Sequence, residues 1–168
     1  MEHETSPALA FERMVAVYAA EGIAPICLGL QQDHAADVPL FLLLAQADHA
    51  GLEATPEELA ALVAFAADWR DVAILPLRGL RVALRARCGE EGMTPFRERI
   101  KELELEAERL HAARLASRLA ACAGPGGGLA AAYLASLGVA PTRIAAATGA
   151  VMRALAALPR LAGYEYRS

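Results

Sequence analysis

The sequence has few of the residues that mark catalytic or metal-binding chemistry. Its three cysteines, Cys27, Cys88 and Cys122, are far apart and form no Cys-x-x-Cys pair, so neither a disulfide framework nor a zinc knuckle is predicted. The chain also lacks a nucleotide-binding glycine loop, a nucleophile-elbow serine and an HExxH motif. We therefore predict no catalytic residues, no metal and no cofactor, and the isolated thiols indicate the reducing cytoplasm.

Aromatic residues, lysines and long apolar runs are also scarce. Aromatic residues make up 5% of the chain and Lys101 is its only lysine, whereas Ala and Leu dominate and favour helix. The net charge of −4 offers no basic surplus for nucleic acid. No uninterrupted apolar run reaches the roughly 20 residues of a membrane span, and acidic residues near the N-terminus argue against a signal peptide. Cytoplasmic localisation is expected.

Helix start and stop signals recur along the chain. Asp37 precedes Val38 and Pro39 as a cap would, and Gly51 follows as a stop. The run Thr55-Pro56-Glu57-Glu58 has the form of a capping box. Because no alternating strand pattern is present, we predict an all-α fold, a single-domain bundle of about seven or eight helices.

The longest predicted helix opens at Thr94-Pro95 and carries an apolar seam. Its members alternate by four and three residues, which is typical of a helix that contacts another helix: Phe96, Ile100, Leu103, Ala107 and Leu110. The run GPGGG at 124–128 is the strongest linker signal. We predict a core of residues 1–123, a linker at 124–128, and an Ala-rich helical extension, 129–168, packed on the core.

Three stretches, in this order and spacing, resemble a known bacterial family of small helical proteins. They are YAAEGIAPICLGLQQDHAADVPLFLLL, WRDVAILPLRGLRVALR and ELELEAERL, and the resemblance covers roughly Phe11 to Leu119. The family is catalogued as domain of unknown function 2390. The sequence departs from its pattern at Ala35, where Gly is usual, and at Pro39, where Asn is usual. The resemblance implies a helical cytoplasmic protein but no activity.

Polar residues interrupt the apolar run between Cys27 and Leu44. Cys27, Gln31 and His34 share one face of a helix, so a metal site or a thiolate–imidazole pair is one interpretation. The other is structural: Cys27 is core, Asp37 caps the next helix, and Gln31 and His34 satisfy backbone groups at the helix break. The structural interpretation is favoured.

Three arginines, Arg78, Arg81 and Arg85, share another helical face. A phosphate-bearing ligand or an acidic partner could bind there. Alternatively, this helix lies antiparallel to the next one and its arginines pair internally with Glu98, Glu102 and Glu106. We favour the internal pairing.

Two further polar sets are assigned to the surface. Glu104, Glu108 and His111 could belong to a metal-binding bundle, but the Glu-x-x-His motif occurs once where such bundles use it twice. We expect them on an exposed charged face. Asp48 and His49 precede Gly51 and are expected at a solvated helix end.

Two functional hypotheses remain. The favoured one is a non-catalytic protein-interaction or regulatory module that binds a protein partner, or a second copy of itself, through an amphipathic helix. The alternative is a small-molecule or metal-binding protein, conceivably an enzyme, with a polar site where the 31–37 break faces the arginines. The candidate ligand-binding residues are Gln31, His34, Asp37, Trp69, Arg78, Arg81 and Arg85.

Overall fold

The computed structural model describes residues 7–119 and 128–159, which form α-helices and contain no β-strand. Two short irregular turns lie between the α-helices, a π-helical turn at Arg70–Ile74 and a 3-10 turn at Leu84–Arg87. The predicted all-α bundle of seven or eight helices is confirmed. The helices are α1 (Pro7–Tyr18), α2 (Ile23–His34), α3 (Val38–His49), α4 (Pro56–Trp69), α5 (Leu75–Ala83), α6 (Met93–Leu119), α7 (Leu129–Ser136) and α8 (Pro141–Ala157).

Helix α3 forms the centre of the bundle. Every residue from Leu40 to Ala47 is buried, and α1, α6, α7 and α8 all pack against it. A helix that is apolar on all sides is stable only when other helices surround it, because any exposed face would leave leucine side chains in water. The N-terminus of α3 therefore lies inside the protein, and Asp37, which precedes it, is buried as well.

The two C-terminal helices share this core. Leu134 on α7 and Val151 on α8 are fully buried in the same apolar cluster as α3. Asp48 accepts hydrogen bonds from the backbone N–H groups of Leu129 and Ala130, at 2.7 and 3.0 Å, and so caps α7 from the end of α3. The expectation of a solvated end was therefore wrong for Asp48. The predicted linker lies outside the described residues except for Gly128.

The apolar seam predicted on α6 is divided between two environments. Ile100 and Ala107 are buried, whereas Phe96, Leu103 and Leu110 are 46–49% exposed. The residues of α6 that are buried against neighbouring helices therefore include only part of the predicted seam. Self-association through the exposed part stays a prediction.

The breaks around α2 depend on left-handed backbone conformations. Gly22 precedes α2 with φ of +80°, and Ala35 ends it with φ of +53°. Among the described helices, none alone is long and apolar enough to cross a membrane. Leu9–Tyr18 and Ile23–His34 reach the required length and composition only as a pair bent by 96°.

Ala35 occupies a conformation that glycine adopts at lower cost. The left-handed region costs an L-residue about 1–2 kcal/mol. Glycine avoids this cost, but it loses more chain entropy on folding, which reduces the net gain in stability. We expect Ala35→Gly to raise the free energy of unfolding by up to about 1 kcal/mol, measured by urea denaturation. Ala61→Gly, at an exposed mid-helix position, should lower it by about 1 kcal/mol. A loss of stability in both variants would contradict the argument.

Candidate functional site

A groove with a volume of about 760 Å3 opens between α1, α2, α5 and α6. Its apolar rim consists of five side chains that line the groove and are 36–50% exposed: Val15, Tyr18, Leu28, Leu75 and Leu105. Its charged floor consists of five less exposed residues: Asp37, Arg78, Arg81, Glu104 and Glu108. The groove therefore combines an exposed apolar rim with a charged floor, beside which the buried apolar residues Met14, Leu42 and Ile74 also line it.

Two arginines of α5 bind two glutamates of α6 in the floor. Arg78 reaches Glu104 with Nε at 2.9 Å and Glu108 with Nη2 at 2.8 Å. Arg81 donates to both carboxylate oxygens of Glu104. Glu104 thus lies between two guanidinium groups, an arrangement of charge-assisted hydrogen bonds that is specific in direction as well as charge.

The predicted internal pairing was right in kind but wrong in its partners. The predicted carboxylates were Glu98, Glu102 and Glu106, all of which are exposed. In an antiparallel helix pair, residues at equal distances from the connecting loop face each other. Arg78 and Arg81 lie far enough before the loop to meet Glu104 and Glu108, one turn or more beyond Glu98. Glu102 and Glu106 are each two residues from Glu104 and therefore point to another side of α6. Arg85, the third predicted arginine, is exposed and does not line the groove.

The two glutamates of the floor are perturbed in opposite directions. For Glu104, burial favours the neutral acid, but hydrogen bonds from Arg81 and Arg78 outweigh burial and lower its pKa. For Glu108, burial dominates and the nearby charge of Glu104 adds to it, so that its pKa is raised despite Arg78. Glu104 is therefore the permanent counter-charge of the arginines.

The raised pKa of Glu108 predicts a pH-dependent stability. Folded Glu108 holds its proton to higher pH than the unfolded chain, so its contribution to stability is complete below about pH 4.3 and is lost as the pH rises through the folded pKa. We expect Glu108→Gln to gain stability relative to the wild type from pH 4 to 7, by at most about 1 kcal/mol. Urea unfolding across this range measures it, with exposed Glu106→Gln as control. Parallel profiles for wild type and Glu108→Gln would refute the assignment.

Asp37, in the floor of the groove, connects three helices. Its Oδ1 accepts the backbone N–H of Leu40 at 3.0 Å, which confirms the predicted cap of α3. Its Oδ2 lies 2.8 Å from His111 Nε2 on α6, and its own N–H donates to the Tyr133 hydroxyl on α7 at 2.8 Å. The capping role predicted for Asp37 is therefore only one of three.

His111 and Glu104 contradict the expectation of an exposed face. His111 is 1% exposed and Glu104 6% exposed. Because a carboxylate only accepts hydrogen bonds, His111 Nε2 carries the hydrogen that points to Asp37. His111 Nδ1 is buried without a hydrogen-bond partner among the described residues. Spacing by three and four placed these residues on one face, but only the fold places this face inside.

Burial of Tyr133 raises the pKa of its hydroxyl, against the opposing effect of the Asp37 backbone hydrogen bond. The phenol is 2% exposed and has its oxygen next to the start of α3. It thereby satisfies one of the backbone N–H groups that a buried helix start would otherwise leave unpaired.

The other predicted site residues divide between the groove and the rest of the surface. Gln31 lines the groove together with Asp37, Arg78 and Arg81. His34 instead points away from the groove's arginines, with its Nε2 3.4 Å from Arg143 Nη1 on α8. The same Nη1 lies 2.8 Å from Asp33 Oδ2. The 31–37 break is thus split between two sides of the protein.

Trp69 has a packing role outside the groove. Its Nε1 donates to the backbone carbonyl of Ala107 at 3.0 Å, and the guanidinium of Arg114 lies 4.8 Å from the ring centroid. Next to it, the chain forms the π-helical turn before Pro76. Because Pro76 has no N–H, the regular hydrogen bond to residue 72 is absent and the turn widens. The extra residue changes the direction in which the α5 side chains project.

Cys27 is a core thiol. It is fully buried, and burial raises its pKa to about 11, which disfavours the thiolate that a metal site or a nucleophile needs. In the described part of the chain, no three His, Cys, Asp or Glu side chains form a group suited to a metal ion.

Sequence reasoning missed several residues of the groove. Glu104 and Glu108 were noted but assigned to solvent, and the apolar rim was not recognised. Arg70 was not among the candidate site residues: it donates to the carbonyl of Ala35 at 3.3 Å and so links the π-helical turn to the end of α2. The spacing of Glu104, Glu108 and His111 was the one available signal.

Comparison with known protein families gives a match over much of the chain. A family model described as "Protein of unknown function (DUF2390)" matches residues 11–115. This range contains α2 to α5, two thirds of α1 and most of α6, and thereby every side chain of the rim and floor. No curated protein and no solved structure matches the chain.

Proposed function

The chain belongs to the DUF2390 family, and because this family brings no known activity with it, we propose from the groove itself that the protein is a non-catalytic protein-binding module. The groove receives an apolar helical segment of a protein partner. The observation that carries the proposal is the apolar rim, in which five large side chains from four helices remain 36–50% exposed around one opening.

The energetics of the rim favour an occupant. Single exposed apolar side chains are normal, but a contiguous apolar patch on one face is unusual for a protein that functions alone. Covering such a patch gains about 25 cal/mol for each Å2 of apolar surface removed from water. Val15, Leu28 and Leu105 would each lose exposed area on binding.

The shape of the groove favours a protein segment over a small molecule. A small molecule fills the interior of a pocket but leaves rim residues such as Leu28 and Leu105 in water. An amphipathic helix enters an open groove with side chains at positions i, i+3 or i+4, and i+7, while its backbone covers the rim. The groove is bounded by helices on both sides, which suits this mode of binding.

Selection from a phage-displayed library of helical peptides tests the proposal. We expect wild-type protein to enrich peptides with apolar residues at helical spacing. These peptides should lose at least about tenfold in affinity for Leu105→Glu, because a charge then occupies the apolar rim. Leu103→Glu is the matched control: it changes the same residue type on the same helix at 49% rather than 50% exposure, but outside the groove.

Other outcomes identify other occupants. Peptides that bind Leu105→Glu as well as they bind the wild type would contradict the proposal. Self-association, measured by light scattering, that is lost in Leu105→Glu and kept in Leu103→Glu would make a second copy the occupant. An apolar compound that co-purifies with the wild type and is absent from Leu105→Glu would assign the groove to a small molecule.

A further inference from the structure

We propose that the protein forms a homodimer in which the α6 helices of two copies pair antiparallel along an exposed apolar stripe. The stripe consists of Phe96, Leu103 and Leu110, each seven residues from the next and 46–49% exposed. None of the three lines the groove. The surface is therefore separate from the proposed peptide-binding site, and the inference does not depend on that function.

The stripe is the half of the predicted seam that the bundle leaves uncovered. Ile100 and Ala107, three residues before and four after Leu103, are buried, and Trp69 of α4 donates to the carbonyl of Ala107 at 3.0 Å. One side of the stripe is therefore covered by the protein itself. Because residues spaced by seven stay on one face of a helix, the stripe forms an apolar edge along about 21 Å of α6.

The other side of the stripe carries two charges of opposite sign. Arg99 and Glu106 lie four residues before and three after Leu103, positions that share its face. Both are exposed, and neither has an ion pair or a hydrogen bond to another side chain in the described part of the chain. Glu102 and Arg109, further round the helix, are again opposite in sign. Two copies of this surface can therefore meet without a net repulsion.

The stripe and the two charges share one centre, and this favours a second copy as the partner. Leu103 lies midway between Phe96 and Leu110, and Arg99 and Glu106 lie at nearly equal distances from it on either side. A two-fold axis at Leu103 sets Leu103 against its own copy and Phe96 against the partner's Leu110. It also sets Arg99 beside the partner's Glu106, and a two-fold interface makes each such contact twice.

The antiparallel orientation is the one that forms these ion pairs. A two-fold axis perpendicular to the helices keeps the charged side of one stripe next to the charged side of the other, with the chain directions reversed. In a parallel pair, the charged side of each stripe would instead meet the side on which Trp69 contacts Ala107. Arg99 and Glu106 would then lose water without gaining each other. Burial of the stripe supplies most of the free energy of association, and the charges select the orientation.

Light scattering of the wild type over a range of concentrations tests the dimer. We expect the mean mass to rise toward twice that of one chain, with a roughly micromolar dissociation constant, because the interface is small. Leu103→Glu should weaken the dimer at least about tenfold, because two carboxylates then meet at the axis. Leu105→Glu is the matched control on the same helix, in the groove and outside the stripe, and should leave the dimer unchanged.

Charge reversals test the register. Arg99→Glu and Glu106→Arg should each weaken the dimer about fivefold or more, since like charges then lie side by side. A mixture of these two variants should form a heterodimer about as tight as the wild-type dimer, because opposite charges meet again. Lys101→Glu reverses a charge at an exposed position away from the stripe and should have no effect. Circular dichroism checks that each variant remains folded.

Several results would overturn the inference. They are a wild type that stays monomeric at its highest soluble concentration, and a dimer that Leu103→Glu leaves intact. Self-association lost in Leu105→Glu but kept in Leu103→Glu would place the contact in the groove instead. A dimer that needs Leu103 but does not respond to the charge reversals would exclude the antiparallel register. Peptide binding in the groove is measured separately, so the proposed function can stand or fall independently of the dimer.

Discussion

Asp37→Ala is expected to lower the free energy of unfolding by about 2–4 kcal/mol, the sum of a lost helix cap, about 1 kcal/mol, and a buried donor left unsatisfied, about 1–3 kcal/mol. The variant loses the cap of α3 at Leu40 N–H and leaves His111 Nε2 without an acceptor. His111 is 1% exposed, so water cannot replace the carboxylate unless the helices separate. The effect is large because one side chain joins two buried elements.

Urea denaturation of the wild type and variant, followed by circular dichroism, measures the difference. Asp33→Ala is the control: its side chain is 57% exposed and forms one surface ion pair, with Arg143, so it should lose less than about 1 kcal/mol. Asp37→Asn should fall between the two, since an amide can still cap the helix but pairs less strongly with His111. Equal losses for Asp33→Ala and Asp37→Ala would show that the interhelical role of Asp37 is wrongly assigned.

Glu104→Ala is expected to cost about 3 kcal/mol, at the lower end of the range for a buried pair. Its carboxylate is buried, but the side chains of Arg78 and Arg81 are 24–30% exposed and can recover part of their hydration. Burial raises the pKa of Glu104, but the hydrogen bonds from Arg81 and Arg78 outweigh burial and lower it, so the ionised carboxylate stabilises the folded protein. Its contribution is complete above the unfolded pKa and is lost as the pH falls through the folded one.

Thermal or urea unfolding at pH 7 and at pH 4 tests this prediction. The difference between wild type and Glu104→Ala should shrink toward acid pH, because the unfolded chain then takes up a proton at Glu104 that the folded protein does not. Exposed Glu106→Ala, on the same helix, should lie within about 0.5 kcal/mol of the wild type. A Glu104→Ala variant as stable as Glu106→Ala would show that the arginines do not depend on this carboxylate.

Both residues link stability to the proposed binding function. Asp37 holds the start of α3, and Glu104 holds α5 against α6, so together they set the separation of helices on two sides of the groove. Glu104 also takes up part of the capacity of Arg78 and Arg81.

Local signals alone determined the helices of this protein. The capping box at Thr55 has both of its predicted hydrogen bonds, with Glu58 Oε2 2.7 Å from Thr55 N and Thr55 Oγ1 3.2 Å from Glu58 N. Asp37 caps α3 as predicted, and Gly51 follows its end with φ of +76°. Caps and stops act within a few residues along the chain, so their physics can be read without the tertiary structure.

Only the tertiary structure decided which polar residues meet. Sequence spacing placed Glu104, Glu108 and His111 on one face of α6, and Arg78 and Arg81 on one face of α5, but it could not orient either face toward the core. Orientation depends on packing between helices distant in the chain and on the π-helical turn before Pro76. His34 and Asp37 are only three residues apart, yet His34 lies against α8 and Asp37 lines the groove. They point to different sides because helix α2 ends between them, at Ala35.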